Sequence, residues 1–566
     1  MQYLFWFALA VGVGLLFRVI RGQGSFAFPF LIGLVLTVFA YFALPPLAPW
    51  FMFTNFLICA VVIFFAAFYR KRSTSGLTTG VIALSMVAML IVPFVSSTTM
   101  LRPDNATRYR NLLEIEEITD PKALSVSLTD PAKPREVDVA SARKSAQELL
   151  GSASMKGIGT QFKIGTARST MRNGELVWVM PLEHKRLWPC LTGKPVPGYA
   201  VVSQSNRMVR ELVTDRQMVI AEESCFGAKL ERAVYTGGYS DYGQADPLFQ
   251  ISPEGKPFQL VPLMKPQIGF AGTMPVKYVL ADLETGKLES MSAEELPSWI
   301  NRIAPVGTVM DRIDEWGKYV KPSWWNANIT GLEVLTSTPG MTVVPMADGS
   351  MGLYTGIQFE SSENDQATSA ILVMNQRTLK GKFYPREGIT ETAACRILEG
   401  RVQEKGYYCP QVVLHNLNGT PIFLGVLKDQ SGTAALRGIV SQLNREVSGI
   451  GETLHKTKFD FVQQQRTFAN RAALHEGLID ETEVVGVVER IALPYDGFRV
   501  MMLENQEQYF LVPVELSPEV VLTEKGETVE LLIIEPEGSE VTPTGFNNTD
   551  IRDPVPTELE AEVKDL

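Results

Sequence analysis

Four histidines, His184, His415, His455 and His475, are the imidazole bases available to this chain. Nucleophilic catalysis places such a base within hydrogen-bond reach of a Ser, Cys or Thr. His184 follows a strand-like run in Pro181-Leu182-Glu183-His184 and lies shortly before Cys190, so it is the most interesting of the four. A histidine in that setting is more often structural or a turn residue than a base. There is no GxSxG, HExxH or Walker A pattern and no complete GxGxxG context. Hydrolase, metalloprotease and nucleotide-binding readings therefore lose their usual support. No catalytic residue, cofactor or metal ligand is assigned.

Cys59 sits in a hydrophobic stretch, where it reads as a small apolar residue. The other four cysteines form an even set, which suggests disulfides. Of the three connectivities, the sequential pairs Cys190 with Cys225 and Cys395 with Cys409 are favoured, and four unpaired buried thiols are the alternative. A zinc site is disfavoured, because CxxC is missing and only His184 and His415 lie close to these pairs. Asp282, Asp348 and Asp365 stand in turn-like settings without the spacing of an EF-hand, so they read as turn formers. Trp299, Trp316, Trp324 and Trp325 fall in one short stretch with Tyr319. They form a candidate binding face for a carbohydrate or a partner, with core packing as the alternative.

The elements that must position these residues divide sharply along the chain. At 566 residues it is too long for one hydrophobic core. Every acidic residue follows Pro103, so the acidity behind the chain's net charge of -10 lies in the later part and argues against nucleic acid as a partner. Tyr3 to Phe17, Phe26 to Leu47, Phe51 to Phe68 and Gly76 to Val95 are apolar, each near the ~20 residues that cross a hydrocarbon core. A signal peptide is the alternative for the first stretch, but its basic start is missing. Arg18 and Arg21, then Arg70, Lys71 and Arg72, mark the inner loops, so everything after Met100 is expected outside. The four stretches hold no charge, which reads as an anchor and not a transport path. The expectation is an integral protein of a bacterial inner or cell membrane, with its other domains outside the cytoplasm.

The expected fold class is α+β. Four transmembrane helices (1–100) lead through a connector (101–136) to α+β units at 137–250, 251–330 and 331–432. A helical connector (433–480), a small SH3- or OB-like β-barrel (481–537) and a disordered acidic tail (538–566) follow. The units share a layout in which strands end on turns such as Asp282-Leu283-Glu284-Thr285-Gly286, with helices beside them.

The runs "LVWVMPLEH", "PGYAVVS" and "KYVLADLETGKLE" resemble the PepSY family of small extracytoplasmic domains, in which a strand pair ends on an aspartate-containing turn. Together with "YRNLL", "DEWGKYV" and "PIFLGVLKD", the chain also resembles a loosely defined group of uncharacterised bacterial and phage membrane proteins. The PepSY resemblance implies a binding or inhibitory module and carries over no catalytic residue. The leading functional expectation is a membrane-anchored, non-enzymatic scaffold or assembly protein of the cell envelope. It would bind protein partners or form a homo-oligomer through its β-rich domains. A PepSY-like regulator or inhibitor of an envelope peptidase is one alternative. A cell-wall-acting enzyme built on His184 is the other.

Overall fold

The computed structural model describes residues 94–551, apart from short internal segments such as 125–134, 361–366, 473–481 and 534–539, together with Val38, Tyr41, Leu44 and Ile91. Helix α1 (Asp104–Arg110) brings the ring of Tyr109 onto Tyr319, with centroids 5.6 Å apart. Helix α2 (Val139–Ser152) starts where the Asp138 carboxylate accepts the Ser141 backbone N–H, satisfying a donor that the first helical turn leaves unpaired. Ala142 and Ala146, four apart and so on one face, lie against Trp178, Met180, Ala200 and Val202 of the first sheet.

That sheet orders strands Phe162–Ile164, Glu175–His184, Tyr199–Ser203 and Arg210–Val213, with Arg168–Arg172 also paired to Glu175–His184. Side chains alternate along a strand, so Val177, Val179 and Val201 face away from α2. They meet the second sheet, built on the long hairpin Pro257–Ile268 and Ala271–Asp282. Tyr199 and Phe249 meet across this core with ring centroids 5.7 Å apart.

The third sheet runs Glu114–Glu117, Lys380–Tyr384, Ala370–Asn375, Met351–Phe359 and Leu335–Ser337, its first pair being parallel. Helix α3 (Val306–Val320) covers it through Val309, Ile313 and Trp316. Helix α4 (Glu391–Arg401) starts on Thr390, whose hydroxyl accepts the Ala393 N–H. It packs on the fourth sheet, the meander Val412–Leu417, Thr420–Lys428, Ala434–Ser441 and Ser448–Gly451. The amphipathic helix α5 (Leu454–Ala472) seals the opposite face with Phe461 and Val462. In the last sheet, strand Thr482–Ile491 pairs first with Thr528–Ile533 and then with Phe498–Leu503, shifting register at a bulge between Val488 and Arg490. The bulge bends the strand, so the six-stranded sheet curls around Met501, Phe510, Val529 and Leu531.

Two expectations are corrected here. The α+β fold class gives way to a β-rich architecture of curled and stacked sheets, in which helices serve as covers over sheet faces. The four-helix transmembrane anchor, and with it the location as an integral membrane protein with domains outside the cytoplasm, finds no support in the helices described. Among the described residues no helix is long and apolar enough to cross a membrane. α5 is the longest named, and it carries Lys456, Lys458, Asp460, Arg466 and Arg471, a charge load that a hydrocarbon core opposes. The four apolar stretches, with Cys59, lie outside the described residues, as does most of the acidic tail.

Candidate functional site

The first and fourth sheets carry the same turn. Ser203-Gln204-Ser205-Asn206-Arg207-Met208-Val209 and Ser441-Gln442-Leu443-Asn444-Arg445-Glu446-Val447 follow equivalent strands. Each serine hydroxyl accepts the next two turn N–H groups, from Ser205 and Asn206 in one copy and Leu443 and Asn444 in the other. The asparagine oxygens accept from Met208 and Glu446. The Ser203 N–H donates to the Val209 carbonyl at 2.9 Å and the Ser441 N–H to Val447 at 3.0 Å. The carbonyls of Gln204 and Gln442 accept the N–H of Val137 and Ile389, the residues that lead into α2 and α4. Strand register extends the match: Val177 lies opposite Ser203 as Ile422 lies opposite Ser441, and Val179 opposite Val201 as Leu424 opposite Ile439. Both units begin in segments expected to share a layout, 137–250 and 331–432, but the turn they have in common was missed, although Ser-Gln-x-Asn-Arg stands in the chain twice.

The copies differ in what covers the face turned away from the capped helix. In the second, Ile422, Ile439 and Val447 are sealed under Phe461 and Val462 of α5. In the first, the second sheet covers Val179 and Tyr199, but near the turn an open groove of about 360 Å³ remains. Val177, Val201, Ser203 and Val209 line it, with Arg172 and Arg210 at the rim. Val209 is 58% exposed where Val447 is 2% exposed, and the neighbouring Met208 is 80% exposed. The rim arginines are paired within the chain, Arg172 to Glu211 at 2.9 Å and Arg210 to Glu148 at 2.6 Å.

His184 does not gather a reactive group. Its ring lies 5.1 Å from that of Phe162, and burial pushes its pKa down, opposed by a hydrogen bond to the Lys194 backbone. Cys190 is bonded to Cys225 and Cys395 to Cys409, so neither sulfur near a histidine is a free thiol. A small cavity of about 10 Å³ is lined by Glu183, Glu222 and Gln259 but not by His184. A space of that size holds about one water molecule and no substrate. Arg168 grips Glu222 with two hydrogen bonds of 2.8 and 2.9 Å, while burial still leaves the Glu222 pKa raised. Among the described residues no three His, Cys, Asp or Glu side chains are placed to hold a metal ion. Asp282 and Asp348 accept backbone N–H groups within their own turns. Asp365 lies outside the described residues.

The five aromatics do not share a face. Trp316 is buried against Phe383, and Trp299 packs on Phe258. Trp324 donates its indole N–H to the Thr99 carbonyl at 2.7 Å, and the Tyr319 hydroxyl meets the Thr99 side chain at 3.1 Å. Only Trp325 is exposed. Trp324 and Trp325 stay together with ring centroids 6.2 Å apart, and Tyr319 shares Thr99 with Trp324, while Trp316 and Trp299 pack against other partners.

Two buried polar groupings join elements that are far apart in the chain. Lys428, almost wholly buried, donates to Asp138 and to the Ser141 hydroxyl at 2.7 Å each, tying the fourth sheet to the cap of α2. Burial works to raise the Asp138 pKa, but the Lys428 and Ser141 hydrogen bonds hold it below the usual carboxylate range. Glu391, in the first turn of α4, is pushed up to about 7 by burial, and its Oε2 accepts from Thr338 at 3.4 Å. Its other oxygen and the buried Tyr354 hydroxyl have no hydrogen-bond partner among the described residues.

No family model matches the chain, nor does any curated protein. Among solved structures, a mutant of Synechocystis apocarotenoid oxygenase aligns at 7% identity over 51% of this chain and 54% of that one, with a TM-score of 0.14. An ACO/RPE65 chimera aligns at 8% identity over 49% and 47%, also with a TM-score of 0.14. The chain thus spans about half the length of the structures it matches, and at these scores the likeness supports no statement about its fold or activity.

Proposed function

We propose that this chain is a non-enzymatic scaffold or assembly protein that binds other protein chains, copies of itself included, through its β-rich units. The observation that carries the reading is the pair of equivalent sheets, one sealed by a helix of the chain and the other left with an open, partly apolar groove. A sheet face that needs a cover in one context presents a surface for one in another. The resemblance of several strand-and-turn segments to PepSY domains, a binding-module family, points the same way. Mass measurement of the purified full chain by light scattering, with and without chemical crosslinking, tests it. Species well above the single-chain 62.6 kDa are expected. A strict monomer that crosslinks to nothing overturns the reading.

A further inference from the structure

We infer that the groove at Val177, Val201 and Val209 docks an amphipathic helix from a protein partner, one that presents adjacent aromatic and aliphatic side chains flanked by polar residues of both charge signs. This rests on the scaffold reading and names the partner of its open site. Three observations identify the occupant. The equivalent face of the fourth sheet already holds such a helix: Phe461 and Val462 of α5 sit on Ile439 and Val447, with Lys458 and Asp460 before them and Gln463 to Arg466 after. The groove floor is continuous with an established interface, since Val177 and Val201 belong to the core that joins the first and second sheets. Charge is matched as well, because the rim presents both signs in Arg172–Glu211 and Arg210–Glu148, as α5 does with Lys458, Asp460 and Arg466 around Phe461 and Val462. The volume of about 360 Å³ accommodates side chains of an approaching helix. Docking there would give Val209 and Met208 the burial that Val447 has.

The test uses the full chain and a fluorescein-labelled synthetic peptide with the 454–468 sequence, held helical by a side-chain staple. Anisotropy should show saturable binding that weakens at least tenfold in Val209→Glu and is unchanged in Val485→Glu, an exposed site on the last sheet. A photocrosslinker in place of Met208 should capture the peptide. Val209 is exposed, so its variant should fold, which an unchanged melting temperature would confirm. Absent saturable binding, equal binding of a scrambled peptide, or binding indifferent to Val209→Glu overturns the inference. Loss of self-assembly in Val209→Glu without peptide binding would assign the groove to another surface of a second copy, and also overturns it. In both cases species above one chain's mass would leave the scaffold reading standing.

Discussion

The unit formed by α2 with the first sheet and the unit formed by α4 with the fourth sheet share a cap, a turn and a strand register, yet they end in different environments. α2 meets its sheet through Ala142 and Ala146, and its outer cap is tied by Lys428 to the other unit. In the second unit Leu398 of α4 lies close to Gly438 and Gly425, so closely that a Cβ at Gly438 would fall 2.4 Å from a Leu398 methyl. The lesson is that the local unit specifies the helix-facing side of its sheet, and the neighbouring chain specifies the other side. A valine at the end of the same turn is core in one copy and surface in the other.

The sharpest way to break this comparison is one substitution at both sites. Val447→Asp buries an unpaired charge under α5 and should cost about 5 kcal/mol, whereas Val209→Asp should stay within about 0.5 kcal/mol. Denaturant unfolding of both variants measures it, and similar losses would show that the copies are not divided as described. The link between the units comes next. Lys428→Ala strands Asp138 and should cost about 4 kcal/mol, while Lys428→Ala with Asp138→Asn should recover a large part of that loss. A double variant no better than the single one would place the loss in packing and not in charge.

A smaller effect distinguishes the cores by pH. Glu391 is raised from an ordinary 4.5 to about 7 when folded, so the native state holds its proton more tightly than the unfolded chain. The stabilisation is fully present below about 4.5 and is lost as pH rises through about 7, a change of about 3 kcal/mol. Glu391→Gln should flatten that slope, leaving the part due to Glu315, also raised to about 7 by burial. An unchanged slope in unfolding experiments between these pH values would remove Glu391 from the account. Smallest is the second repeated turn, where Asp282 and Asn375 each accept two N–H groups ahead of a left-handed residue. That residue is Gly286 in one copy, with φ 76, and Leu379 in the other, with φ 55. Gly286→Ala should cost about 1 kcal/mol through backbone strain, read as a small drop in melting temperature.

Much of the local structure was legible in the residues. Strand and turn positions around Tyr199 to Ser203, Val276 to Ala281 and Ile371 to Asn375 follow from short continuous apolar runs and from bounding Asp, Asn and Gly, whose side chains or freedom at φ favour turns. The candidate site was not legible. The aromatics that looked like a face were close in sequence, but Trp316 lies on α3 facing the core while Trp325 lies beyond the end of α3 at the surface. The membrane reading drew on segments outside the described residues, and the described helices gave it no support.

By itself the sequence determined the repeated Ser-Gln-x-Asn-Arg turn and the caps of α2 and α4, because each depends on hydrogen bonds among residues a few positions apart. Only the tertiary structure decided which valine is buried. Val209 leads into Arg210–Val213 and a sheet that stops short of the turn, while Val447 leads through Ser448–Gly451 into α5, which folds back over it. Burial of one residue type at one kind of turn depends on where distant chain goes, and that is set by packing across the whole fold.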